Sequence, residues 1–249
     1  MVKAGELFTV VGVAILVMSG GLVGYWAAPG EPAAESNSGV YFQVSTYERL
    51  NHGGFGGGMA IGELLEHGDH GIGTVEGIDG EMIILDGVAY RAGTDLRPVE
   101  VPEGTMVPFA QLVEFNFGLE YQLVDIDDYA ELRERLGSIA SSGYLAYGIL
   151  IDATFLNLTI RSVPGQQEPY PPLADVVANQ TVMELHGVQG TMVGFLLTDG
   201  LAGINVPGFH LHFISDDRNY AGHVLDMAFD LAYADVCHMD QCQVVISDR

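Results

Sequence analysis

From residue 40 onward the chain consists mostly of short apolar runs and alternating positions separated by turn residues, the pattern of β-strands. Residues 71–75 and 81–85 read as two strands joined through Gly77-Ile-Asp79-Gly80. Asp86-Gly87 makes the next turn and residues 88–91 the next strand, giving a β-meander. Residues 106–117 add another strand region. Residues 144–163 are rich in β-branched and aromatic side chains and read as a long strand ending near Arg161. Residues 183–197 read as a strand pair or a bent strand, turned by Asp199-Gly200, and residues 227–236 and 243–247 as the last strands. Helical spacing is rarer. It marks residues 59–67 and residues 127–140, where acidic residues open the helix, Arg133 and Arg135 follow, and Gly143 lies beyond the end. Residues 173–178 fit one helical turn or two. Residues 40–50 read as extended, and residues 164–172 as a proline-punctuated loop. The glycine-rich run 53–58 lacks the strand, the helix and the Lys-Ser/Thr pair of a phosphate loop.

One stretch stands out chemically. Residues 208–223 carry His210, His212 and His223. On a strand, side chains two apart share a face, so His210 and His212 look one way and Phe209, Leu211 and Phe213 the other. Ser215-Asp-Asp-Arg-Asn219 reads as a turn. A symmetric hairpin centred between Asp217 and Arg218 would set His212 opposite His223. Three converging imidazoles suit a divalent metal with positions left open for water or substrate. Spacing alone does not choose zinc over manganese, iron or nickel. The expected fold class is α+β and β-rich: two packed mixed or antiparallel sheets with a few short helices, the metal site between them on this C-terminal β-hairpin.

Composition narrows the partners. The net charge is −24 and Lys3 is the only lysine. Such a surface argues against nucleic acid or anionic lipid as a partner and points to a salt-rich environment, where self-repulsion is screened. Residues 7–28 are uncharged and apolar, long enough to cross a bilayer as a helix, with Tyr25 and Trp26 at the far end. Residues 1–28 are therefore expected to be a membrane anchor or signal segment, which makes the remainder extracytoplasmic. Membrane contact is expected through this segment alone. Residues 29–39 read as a linker rich in Pro, Ala, Glu and Ser, and residues 40–249 as the folded domain. Cys237 and Cys242 fall in a segment that reads as strand, turn, strand. A disulfide across that turn and two free thiols are both open.

Several stretches together resemble the bacterial acetolactate decarboxylases. They are His67-Gly-Asp69-His-Gly-Ile-Gly-Thr74, Ile78-Asp-Gly-Glu81-Met, Pro108-Phe-Ala, Arg161-Ser-Val-Pro164 with Pro169-Tyr170, and Gly190-Thr-Met-Val-Gly194-Phe. The last runs from Gly203-Ile-Asn-Val-Pro-Gly208 through His210 and His212 to Gly222-His223-Val-Leu-Asp226. The resemblance implies decarboxylation of 2-acetolactate to acetoin with a divalent metal, usually zinc, held by His210, His212 and His223. It implies that Arg161 holds the substrate carboxylate, that Glu81 is a catalytic carboxyl near the metal, and that Thr74 lines the substrate site. A homodimer is compatible with it. Members also carry a glutamate in a C-terminal segment that reaches back to the metal, and this sequence stops at Arg249, short of it. His70 stands where an aromatic residue is common.

The reaction explains these residue types. Loss of carbon dioxide leaves an electron pair that needs a sink, which a cation with two open positions supplies. A guanidinium fits the departing carboxylate bidentately. A carboxyl whose pKa a dry pocket raises can deliver the final proton, and Glu81 is the candidate. On spacing alone, Arg161 and Glu81 would read as surface residues and Thr74 as an ordinary strand threonine. His52, His67, His70, His186 and His238 read as structural or surface. Two other readings remain: a cupin-type metalloenzyme, which would place a glutamate shortly after the second histidine where Ser215-Asp216-Asp217 stands, and an inactive metal-binding homologue.

Overall fold

The structure, a computed structural model, describes residues 39–115, 118–139 and 143–246. The expected anchor or signal segment, 1–28, and all but the last residue of the expected linker, 29–39, lie outside them. No helix among the described residues is long and apolar enough to cross a membrane.

In chain order the elements are β1 (Gly39–Val44), α1 (Tyr47–Asn51), β2 (Met59–Ala60), α2 (Ile61–Leu64), β3 (His70–Thr74), β4 (Glu81–Leu85), β5 (Val88–Ala92), β6 (Pro98–Glu100), β7 (Met106–Val107) and β8 (Phe109–Val113). Then come β9 (Leu119–Ile126), α3 (Tyr129–Ile139), β10 (Ala146–Ser162), α4 (Leu173–Val177), β11 (Thr181–Leu197), β12 (Gly208–Ser215) and β13 (Ala221–Val245). The meander is present as read. β3 pairs with β4, and β4 with β5 through a two-residue turn at Asp86 and Gly87. Both turn residues have positive φ, 52° and 74°, as a type I′ hairpin requires.

The sheet architecture differs from the two separate sheets expected. Eleven strands form one hydrogen-bonded sheet, and β2 and β7 make a small pair of their own. One wing runs β1-β8-β3-β4-β5-β6. In the other, β10, β11, β12 and β13 pair in sequence and β13 pairs back onto β10, closing a ring, with β9 alongside β13. The far end of β13 joins the wings by pairing with β1 in parallel, whereas the other pairings are antiparallel. The sequence could not show this continuity, because it depends on hydrogen bonds between opposite ends of the chain.

β13 is also one strand of 25 residues, not a hairpin arm followed by two further strands. Its small and polar interruptions stay extended because β10, β9 and β1 bond to it in turn. There is consequently no turn between Cys237 and Cys242. Five residues of extended chain separate them by about 16 Å, beyond disulfide reach, and both are free thiols. β11 is a single strand bent at Gly187 (φ 61°). The stretch expected to be wholly extended, 40–50, turns helical at Tyr47, where Thr46 caps the helix by accepting from the Arg49 amide.

The ring is filled with apolar side chains, Phe155 packing edge-on against Phe213 and Phe229. A second cluster, with Ile72, Ile83, Val193, Phe195 and Ile214, fills the space between the wings. Alternation on β12 divides the labour: Leu211 and Phe213 join the ring core, and the histidines face the other wing.

Candidate metal centre

The register of the hairpin puts His212 directly opposite His223. On the next strand, Arg161 of β10 lies directly opposite His223. Cross-strand partners share a face, so Arg161, His223 and His212 form one row across β10, β13 and β12, with His210 two residues along β12. A bulge is needed for this. The ladder runs Leu158↔Met227 and Thr159↔Asp226, then shifts by one residue to Ile160↔Val224 and Arg161↔His223. Without the shift, Ser162 would stand opposite His223. The bulge brings Arg161 there instead, a common use of bulges beside functional sites.

The imidazoles converge. His210 Nε2 lies 3.1 Å from His223 Nδ1 and 3.2 Å from His212 Nε2. All three ligand atoms fall within 4.8 Å of one another. Nitrogens at about 2.0–2.1 Å from a tetrahedral zinc stand about 3.3 Å apart, so the spacing fits such an ion. The donor chemistry fits too. His212 Nδ1 donates to the Met82 carbonyl at 2.9 Å, so its Nε2 presents a bare lone pair to the cluster. His210 Nε2 faces both neighbours, and one proton there can serve only one of them. A cation satisfies all three. Burial holds the His210 pKa down at about 4, with the Arg161 charge adding to the effect. Burial, followed by the His210 charge, drives His212 and His223 well below the usual histidine value. Neutral imidazole is the form that binds metal.

The opposite wall comes from the other wing. Glu81, first residue of β4, is buried. Its Oε1 accepts from Arg161 Nη1 at 2.7 Å, and its Oε2 lies 3.4 Å from His212 Nε2. Burial pushes its carboxyl above the ordinary range, and Arg161 pulls it part of the way back. Thr74, last residue of β3, donates to the Gly80 carbonyl at 2.7 Å and so pins the loop that carries Glu81. Arg161, Glu81, Thr74 and the three histidines all line one cavity of about 400 Å³. The rest of its wall is largely apolar: Leu50, Phe109, Val163, Leu173, Val177 and Phe209.

Reading the sequence alone missed several participants. The Met82 carbonyl carries no side-chain signal. Gln111 Nε2 lies 3.3 Å from His210 Nδ1; its one signal was a lone glutamine inside the apolar run Phe109-Ala-Gln-Leu-Val113. Asn205 also lines the cavity. The other histidines lie elsewhere. His67 stacks on Phe42, His238 stacks on Tyr144, His186 bonds to Asn157 and His52 to the Glu48 carbonyl. His70 bonds to Asp69 at 2.8 Å and packs against Phe115. The acidic pair after His212 does not supply a cupin-like ligand, for Asp217 accepts from Ser215 in the turn and neither Asp216 nor Asp217 lines the cavity.

Residues 41–249 match the family described as alpha-acetolactate decarboxylase. The alpha-acetolactate decarboxylase of Methanosarcina mazei is 40% identical over 193 residues, covering 78% of this chain and 67% of the relative. That of Streptococcus thermophilus is 38% identical over 207 residues, covering 80% and 84%. The crystal structure of alpha-acetolactate decarboxylase from Bacillus subtilis strain 168 aligns with a TM-score of 0.80 at 32% identity, over 84% of this chain and 89% of that one.

Proposed function

Because the chain belongs to the alpha-acetolactate decarboxylase family, whose reaction turns 2-acetolactate into acetoin, we propose that His210, His212 and His223 hold a divalent metal, zinc being the first choice, and that Arg161 and Glu81 work beside it. The observation that carries this reading is the meeting of the three imidazoles, a guanidinium and a buried carboxyl in one cavity.

When bound, the cation supplies a Lewis acid for the electron pair released as carbon dioxide leaves. Arg161 fixes the substrate carboxylate and sets the angle at which the carbon–carbon bond breaks. The pair from that bond moves onto the neighbouring ketone, giving an enediolate. Glu81 then delivers a proton to the carbon that lost the carboxylate, completing acetoin. Burial already raises the Glu81 pKa and so favours the acid form this step needs, and the incoming carboxylate would offset the Arg161 charge that opposes it. The apolar wall excludes water and strengthens each of these charge interactions. Thr74 keeps Glu81 in place through the Gly80 carbonyl.

The test is acetoin formation from 2-acetolactate by the purified full chain, with metal content measured on the same sample. Near one metal per chain together with acetoin supports the reading. Metal without acetoin would favour a binding protein, and acetoin from demonstrably metal-free protein would remove the histidines' role. The uncharged run 7–28 supports export or anchoring of the domain, and membrane fractionation of the full chain tests that.

A further inference from the structure

Gln111 is fully buried in the middle of β8, a strand whose other four residues are also buried. Its amide oxygen has no hydrogen-bond partner. Such an orphan atom is destabilising, and a leucine would fill the place more cheaply. Gln43, directly across the β1–β8 pair, is equally buried but fully engaged. Its amide nitrogen donates to the Ser45 and Ile204 carbonyls, and its oxygen accepts from Asn205 and Tyr41. It has nothing to offer Gln111. The contact of the Gln111 side chain is with His210 Nδ1, at 3.3 Å.

We propose that Gln111 is a positioning residue for His210: its amide oxygen accepts the Nδ1–H hydrogen bond that leaves Nε2 as the metal-binding atom. This role depends on the metal centre proposed above. An imidazole that binds through Nε2 carries its proton on Nδ1 and needs an acceptor there. An amide NH₂ cannot accept. A half-turn of the Gln111 amide exchanges its two ends and sets Oε1 against Nδ1–H, leaving the NH₂ rather than the acceptor as the unpaired end. His212 is held in the same tautomer by a main-chain group, the Met82 carbonyl. Two of the three ligands thus have an acceptor behind Nδ1, and only the one behind His210 is a side chain, open to substitution.

The experiment measures zinc affinity by chelator competition and the visible spectrum of the cobalt-substituted full chain, for wild type, Gln111→Met and Gln111→Glu. Melting of each metal-free protein reports folding separately. Gln111→Met keeps the volume and loses the oxygen; its zinc affinity should fall about 10- to 100-fold and its cobalt spectrum should shift. Gln111→Glu restores an acceptor and should bind zinc at least as tightly as wild type. Wild-type affinity and spectrum in Gln111→Met would overturn the proposal. So would an equal loss in both variants, the result expected of a merely structural amide. If Gln111→Met does not fold, Gln111→Glu decides alone, a tenfold loss of affinity counting against the proposal. A wild-type chain that binds no zinc or cobalt would defeat the metal reading itself, an outcome distinct from a metal site indifferent to Gln111.

Discussion

The two wings of the sheet build the site in different ways. The ring wing has strands of 17, 17, 8 and 25 residues closed around a phenylalanine-rich core. It presents Arg161, His223, His212 and His210 in adjoining rows, so their spacing is the spacing of the ladder itself. The meander wing has strands of three to six residues. It contributes one or two groups from each of three strands: Thr74 from β3, Glu81 and the Met82 carbonyl from β4, Gln111 from β8. A closed, well-packed ring suits ligands that must share one atom to within a few tenths of an ångström. The meander needs only to close over them, exclude water and place a carboxyl. Under the proposed function, the ring would bind the metal and the meander would deliver the proton.

Substitutions on either side can break that assignment. The largest effect is expected for His212→Ala on the ring, which removes a buried ligand; metal content should fall to near zero and acetoin formation to background, read by elemental analysis and product assay. Arg161→Ala should lower kcat/KM about 10²–10³-fold while metal content stays at wild type, since Arg161 shares the histidines' row without being a ligand. Joint loss of metal would mean that the row is a single structural unit. On the meander, Glu81→Gln should cost about 10²-fold or more in kcat with metal retained. Its pH signature has a definite sign. Burial, partly offset by Arg161, raises the Glu81 pKa, so the acid form persists above the ordinary carboxylate range. Activity that depends on that proton should decline as pH rises through the raised value, and Glu81→Gln should abolish this alkaline limb. Stability follows the same direction: relative to the unfolded chain, the contribution of the protonated Glu81 is complete at low pH and lost as pH rises through the raised value. The smallest effect is expected for Cys242→Ser, within about 0.5 kcal/mol by chemical denaturation, with no shift on adding a reductant, because β13 runs straight past both thiols.

Much of the ring's chemistry was legible along the chain. The period of two on β12 divides His210 and His212 from Leu211 and Phe213, and the five-residue turn alone sets His212 against His223. The meander turns were legible for the same reason, since Asp86-Gly87 has one comfortable geometry. Arg161 and Glu81 were different. Each looks like a surface residue in its own neighbourhood, and resemblance to a family, not local physics, singled them out. Gln111 gave no more than a polar letter in an apolar run.

By itself, the sequence determined the turns of the meander, which side chains of β12 share a face, and that three imidazoles can meet on one hairpin. These follow from backbone geometry and turn preferences acting over a few residues. The tertiary structure alone decided that the wings form one continuous sheet, that a one-residue bulge brings Arg161 rather than Ser162 beside His223, and that the Met82 carbonyl and Gln111 stand behind two of the ligands. The reason is physical: these outcomes rest on hydrogen bonds between strands far apart in the chain, and on the exclusion of water that shifts the Glu81 and histidine pKa values. Neither exists until the wings have closed on each other.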